Sequence, residues 1–524
     1  MNLLKIALSF LLCIYNLSLF SQPSVQWSRS VTNSRGQFLL VDSSEQIYTA
    51  GVENGFSNSF YAFINKYDSA GNQLWTINPP FGNTGLGNMV LDDSANLYLC
   101  STSHIYSDPS TMNCAAACAK FDSSGNLVWL NEYRRNNSVT FNSGYDVLLT
   151  GSGDVWLKGL TEDSATSYQI DLLIKYSASG QILNIITDSL NPNGSAFKIC
   201  KDTIDNIYYG GSYRTGFNTV VKIFKYDFNG NRLWEVNDSG SSNYNEVINI
   251  QYFNSCIYIL KQNKNINTGF EIQKYGLSGQ LLDTFAYEDS LSDIDAKNFI
   301  IAPSGNIYFY GNREALSDIF ALKIKSDFSL EYVEYLDFGN AMIDLVNFAI
   351  LNVHEEFYLT GRNSWDIQNN YSESFICKLD TSGIVQWIVA DHELNSTWNE
   401  GNRLILAGDK LYTLATAYLP GIGPQEIIKK YVDIINSNDN ISIKQESIKV
   451  YPNPSAKDFH FSLPEFMRDK QVEISIFDIF GRQCLNGIYS GREIVIPSDE
   501  FHPGLYHFYI NFQSRRFSGK IVVE

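Results

Sequence analysis

The stretch KYDSAGNQLW, Lys66–Trp75, returns as KFDSSGNLVW, Lys120–Trp129, and again as KYDFNGNRLW, Lys225–Trp234. A catalytic centre is needed once, whereas a structural joint is needed wherever the architecture repeats. Aligning the chain on the leading lysine gives Lys66, Lys120, Lys175, Lys225, Lys274, Lys325, Lys378 and Lys430, at steps of 54, 55, 50, 49, 51, 53 and 52 residues. A second landmark, an aromatic closing an apolar run, precedes each lysine: Tyr48, Tyr98, Trp156, Tyr208, Tyr258, Tyr308, Tyr358 and Tyr412. Each unit reads as four short strands, in the first unit QFLLV, QIYTAG, FYAFINKY and NQLWTI, separated by turn clusters such as DSSEQ and DSAG. Four strands per period match one blade of a β-propeller.

Within the motif, Asp68 suits the first position of a tight turn, because its carboxylate accepts from backbone N–H groups further on. Gly71 suits the fourth position, where the chain re-enters a strand through positive φ. The pair recurs as Asp122 and Gly125, Asp227 and Gly230, and Asp380 and Gly383, with weaker copies at Ser177–Gly180 and Gly276–Gly279. In SDFS, Ser326–Ser329, the glycine is lost, which predicts a different turn there. Trp75, Trp129, Trp234 and Trp387 each fall four residues after the glycine, as packing between neighbouring sheets requires. The eighth unit stops without its last strand, and VQW near the N-terminus supplies a match, with Trp27 at the position of Trp75. A ring closed in this way leaves no free sheet edge between its ends. The fold class expected is therefore all-β: an eight-bladed β-propeller, with seven blades as the alternative, followed by a small β-sandwich.

The bulk composition agrees. Of 524 residues, 44% are apolar, 14% aromatic and only 18% charged, a balance that favours strands and turns. The net charge of −18 repels phosphate backbones, so nucleic acid is excluded as a natural partner. Residues 1–21 read as a signal peptide: Lys5 supplies positive charge, Ile6–Phe20 the apolar core, and Ser21 with Gln22 the cleavage point. No later stretch is long and apolar enough to span a bilayer. Seven cysteines remain after the signal, an odd and scattered set. Cys100, Cys114 and Cys118 form a local group able to hold one disulfide or, as a sharper reading that lacks a fourth ligand, a metal.

The repeats KYDSAGNQLW, KFDSSGNLVW and KLDTSGIVQW resemble those of bacterial secreted β-propellers in the seven-bladed-propeller repeat family. The resemblance spans about residues 23–436 and implies fold, not activity.

Residues 22–436 form the expected propeller and SNDNISIKQES, 437–447, a linker. From 448 to 524 the pattern becomes five or so strands of an Ig-like β-sandwich. This segment resembles the Por-type, type A C-terminal sorting domain of type IX secretion cargo. The matching residues are Tyr451, Pro452, Asn453 and Pro454 in YPNPS, Asp478, Gly481 and Arg482 in DIFGR, Pro503, Gly504 and Tyr506 in PGLY, and Lys520 in the terminal KIVVE. The resemblance implies export through the periplasm, the type IX secretion machinery as partner, surface attachment or release, and a Bacteroidetes-like source.

Chemistry is harder to find. His354 and His392 open HEEFY and HELNS, but neither is followed by a second histidine four residues on. Sialidase Asp-boxes place Asp and Gly two apart, not three as in Asp68 and Gly71, and no arginine cluster for a substrate carboxylate is evident. Quinoprotein propellers carry an adjacent cysteine pair that this chain lacks. The Asp turns, including Asp92 and Asp93, offer too few oxygens for calcium. No catalytic, cofactor or metal residue is assigned and no cofactor is expected. The expected function is an exported scaffold binding a glycan or protein, the alternative being an extracellular hydrolase with its site at a channel mouth.

Overall fold

The structure, a computed structural model, describes residues 23–432 and 449–523, apart from 55–59, 82, 105–113, 136–140, 163–168, 189–197, 216–217, 239–244, 264–268, 290–291, 314–317, 337–342, 367–370, 392, 394–395, 454, 456, 464–467, 479–482, 499–500 and 513–514. The expected signal peptide and linker lie outside the described residues. The chain divides into two compact units, Met1–Asn436 and Ser437–Glu524.

The first unit is all-β: eight four-stranded antiparallel sheets, as in an eight-bladed propeller. Blade 1 comprises Ser34–Val41, Ile47–Asn54, Phe60–Tyr67 and Gln73–Ile77. Blade 2 runs from Asn83–Leu91 to Leu127–Tyr133 and joins blade 1 through a single pair, Tyr61 with Asn83. Blades 3 to 7 begin at Asn142, Ile199, Asn245, Ile294 and Ile343. Blade 8 takes three strands from one end of the unit, Trp398–Ala407, Lys410–Leu419 and Gly423–Val432, and its outermost strand, Ser24–Thr32, from the other. Trp27 pairs with Lys430 there, as Trp75 pairs with Lys66 in blade 1.

The core sits between blades. Eight apolar clusters occupy the eight seams, such as Tyr48, Ala50 and Ile64 against Leu97, Leu99 and Ala119 between blades 1 and 2. The closing seam packs Leu39, Ile47 and Tyr67 against Tyr412, Leu414 and Ile428. Second and third strands are almost wholly buried, as in IYFYGNR and DIFALKI of blade 6, while fourth strands are largely exposed. A strand buried on both faces reads as a continuous apolar run, which explains those sequences.

The second unit has a three-stranded sheet, Lys449–Tyr451, Asp458–Ser462 and Glu493–Pro497, and a four-stranded sheet, Gln483–Tyr489, Val472–Asp478, Gly504–Phe512 and Arg515–Val523. Phe459, Phe461 and Ile496 of one share a core with Ile474, Phe508 and Ile521 of the other.

Candidate functional site

The repeated residues meet at the joints between blades. In every blade the landmark aromatic and the lysine are directly opposite on the second and third strands, from Tyr48 with Lys66 to Tyr412 with Lys430. Each lysine Nζ lies over its aromatic ring, 4.8–5.8 Å from the centroid, a favourable cation–π geometry. Lys66, Lys175, Lys225, Lys323 and Lys430 also donate into the next blade. Lys66 reaches the Ser123 carbonyl at 2.9 Å, Lys225 that of Leu277 at 3.1 Å, and Lys430 that of Ser69 at 3.0 Å. The same carbonyls accept the indole N–H of Trp75, Trp234 and Trp27, at 3.4, 2.9 and 3.2 Å. The turns of blades 2, 5 and 1 are thus each gripped by two side chains of the preceding blade. Burial lowers the pKa of Lys66 and Lys430.

The gripped turn is held internally by its aspartate. Asp68 Oδ1 accepts from Ala70 N and Asn72 N, and Oδ2 from the Asn72 amide. Asp122 and Asp227 repeat this with Asn126 and Asn231. The Asn72 and Asn126 side chains hold the Asp68 and Asp122 carboxyls below the ordinary range. Gly71 has φ of 81°, and a Cβ there would stand 2.8 Å from the Trp27 ring. Gly125 and Gly180 face Trp75 and Trp129 in the same way, Gly383 faces Tyr332, and Gly230 faces Asn184. Trp387 is buried against blade 8 in the seam with Leu404, Leu411 and Tyr431. No hairpin turn exists there to be gripped, because the third and fourth strands of blade 8 come from opposite ends of the unit.

Two sequence expectations change. The sixth repeat lysine is Lys323, opposite Tyr308, not Lys325. The turn after it is Lys325–Phe328 rather than Ser326–Ser329, and it is the same turn as elsewhere, with Phe328 at φ of 63°. The physical reason lies across the joint. Blade 5 has Asp283 at the position of Trp75, Trp129 and Trp234, so no indole blocks a side chain at the glycine position. The Phe328 ring fills that space and stacks on Tyr258, with centroids 6.3 Å apart.

The turn between first and second strands also uses this design. Asp42, Asp92 and Asp202 each accept from two backbone N–H groups, and also from the hydroxyls of Tyr48, Tyr98 and Tyr208. Asp92 is therefore committed to its turn. Cys100 and Cys118 are cross-strand neighbours, and they and Cys114 are buried free thiols. Burial pushes the Cys100 and Cys114 thiols up. Among the described residues no group of three metal-ligating side chains is assembled.

The non-repeating chemistry converges elsewhere. A cavity of about 520 Å³ opens between the first strands of blades 7, 8, 1 and 2, at the end of the blades opposite the gripped turns. Its lining includes Arg35, Gln37, Asn347, Trp398, Glu400 and Arg403. A register shift in the first strands, between Gly36 and Phe38 and between Gly401 and Arg403, is a bulge of the kind that re-aims side chains. Trp398 and Tyr418 are cross-strand partners with ring centroids 4.5 Å apart. Arg35 lies over Tyr418 at 5.1 Å and Arg362 over Trp398 at 5.3 Å, so four planar groups form a ladder. Arg403 stands between the rings of Phe38 and Phe348, at 5.4 and 4.9 Å, and burial lowers its pKa. Glu400, the lining carboxylate, accepts from Asn347 at 2.8 Å. Arg35 Nε and Gln37 Oε1 are buried without partners.

Arg35 is more than 300 positions from Arg362 and Arg403 in sequence, which is why no cluster was legible there. Trp398 offered a usable signal, as a tryptophan outside the repeated positions.

The sorting-motif residues lie in the second unit. Tyr451 stacks on His460 and donates to Glu493. Asn453, after Pro452, accepts from Val522 N at 2.8 Å, tying this segment to the last strand. Asp478 is opposite Tyr506, whose hydroxyl donates to the His502 carbonyl at 2.8 Å. Pro503 precedes the strand that Gly504 opens, and Lys520 pairs with His507 in the last sheet. Pro454, Gly481 and Arg482, and the side chains of Asp478 and Lys520, lie outside the described residues.

Fold and site together define an all-β, propeller-like unit with a separate terminal β unit. A family model described as the secretion system C-terminal sorting domain matches residues 449–524. That domain makes this a secreted or outer-surface protein and implies contact with the type IX secretion machinery. Among the described residues no helix is long and apolar enough to cross a membrane. No curated protein matches the chain. Similar solved structures include a europium-containing methanol dehydrogenase (11% identity, TM-score 0.49, 80% of this chain and 95% of that one). Others are a eukaryotic initiation factor (9%, 0.42, 89% and 91%) and polysaccharide lyase Uly1 (11%, 0.41, 76% and 90%). At these identities and TM-scores none of them says what this chain does.

Proposed function

We propose that the protein is an exported propeller that binds an extracellular glycan at the mouth of its central channel. Its C-terminal unit, read as an Ig-like sandwich, directs type IX export after removal of residues 1–21. The observation that carries this reading is the cavity lined by Trp398, Arg35, Gln37, Asn347 and Glu400. Planar amide, guanidinium and carboxylate groups on a rigid strand scaffold suit a polyhydroxylated ligand, and aromatic rings supply apolar contact. Glycoside hydrolysis ordinarily needs two facing carboxyl groups. Among the described lining residues Glu400 is the one carboxylate, and an amide already holds it, which favours binding over hydrolysis.

The test is a glycan-array screen of the mature protein beside Trp398→Ala. Binding to a glycan class that the variant loses supports the reading. A blank array, with capture of a protein ligand instead, overturns it.

A further inference from the structure

We infer that the ligand at this mouth is an anionic saccharide, recognised through separate carboxylate or sulfate groups along its chain by Arg35 and Arg362, which stand at opposite ends of the aromatic ladder. The inference rests on the glycan reading above and narrows it. The argument is one of contrast within the molecule. Elsewhere, buried cations of the propeller have acceptors: Lys66, Lys225 and Lys430 donate to carbonyls of the next blade, and others meet carboxylates. Lys158 lies 2.5 Å from Asp171, Arg313 2.7 Å from Asp289 and 3.1 Å from Asp318, and Lys429 2.6 Å from Asp391 and 2.7 Å from Glu393. Arg35 and Arg403 in the cavity lining, and Arg362 against the lining residue Trp398, have no carboxylate in ion-pair range among the described residues. Their described contacts are chiefly aromatic faces. In a protein of net charge −18, unpaired guanidinium groups gathered at one cavity form a local inversion of sign.

The geometry is suited to anion capture. A guanidinium lying on a ring uses its face and leaves its in-plane N–H edge for a planar or tetrahedral anion. The Arg35–Tyr418–Trp398–Arg362 ladder fixes two such groups before any ligand arrives, which reduces the ordering cost of binding. Arg35 Nε and Arg362 Nε are both buried donors without acceptors, a state that a bound anion would relieve. Glu400, held on Asn347, remains to accept from saccharide hydroxyls.

Calorimetric titration of the mature full-length protein tests this, with a hexameric oligogalacturonate, a sulfated chondroitin hexasaccharide and neutral cellohexaose. At least one anionic probe is expected to bind at least about tenfold more tightly than cellohexaose, and to weaken with added salt. Which anionic probe wins separates carboxylate from sulfate. Arg35→Ala and Arg362→Ala should each weaken that binding about 10- to 100-fold, while thermal unfolding shows the propeller intact. Arg35→Lys should recover only part of the loss, because lysine lacks the planar fork. Equal binding of neutral and anionic probes, or anionic binding unchanged in both arginine variants, overturns this inference and leaves the glycan reading standing. No binding of any oligosaccharide removes both.

Discussion

Replacing Gly71 by alanine perturbs the closing joint in two separable ways. The residue sits at φ of 81°, where an L side chain costs about 1–2 kcal/mol. The new Cβ would also stand 2.8 Å from the Trp27 ring, and forcing a methyl into packed structure costs about 1–3 kcal/mol more. The expected loss is about 2–5 kcal/mol. Gly408 supplies the control, since its φ is 62° but nothing lies within 4 Å of a Cβ there. Gly408→Ala should therefore lose only the backbone part. Urea unfolding of the mature chain, followed by tryptophan fluorescence, measures both. A double-mutant cycle sharpens the test. With Trp27→Ala already in place, adding Gly71→Ala should cost no more than Gly408→Ala does. Equal losses for the two glycines in the native background would refute the claim that the indole of one blade is seated on the glycine of the next.

Deleting residues 23–32 removes the outermost strand of blade 8 and exposes the edge of Gly423–Val432; the propeller should unfold at lower urea and aggregate, and unchanged unfolding would contradict strand closure. Burial raises Glu426, fully enclosed at the closing seam, to about 7, against smaller opposing contributions from its Thr49 and Asn65 hydrogen bonds. An unfolded glutamate titrates near about 4.3, so between these values the folded state keeps a proton that the unfolded state has released, and stability falls as pH rises through the window. Glu426→Gln should escape that fall, gaining up to about 3–4 kcal/mol over the native protein between pH 4 and 8; a constant difference across the range would contradict the assignment. Removing residues 449–524 should leave the protein in the periplasm, and its normal arrival at the surface or in the medium would refute the sorting role.

Much of the architecture was legible because it is written eight times. The lysine and the aromatic were found as separate landmarks, and the structure makes them a single cross-strand pair in every blade. The first turn in each blade was less legible. Glu45, Ala95 and Asp205 occupy its left-handed position, so the glycine that marks the other turn is missing there. Phe328 went unrecognised for a related reason: its permission comes from Asp283, in another blade. The mouth was hidden by distance, since Arg35 and Arg362 come together only when the ring closes. Repetition reveals what the joints need, and it is silent about residues that occur once.

That division is the central claim, and paired substitutions at the two tryptophan classes test it most directly. Trp75 belongs to the repeated joint and Trp398 to the unrepeated mouth. In parallel titrations with the glycan that the native protein binds, and in parallel unfolding, Trp75→Ala should lower stability and leave affinity unchanged. Trp398→Ala should abolish affinity and leave stability nearly unchanged. Loss of binding in Trp75→Ala while folded, with binding intact in Trp398→Ala, would contradict the account.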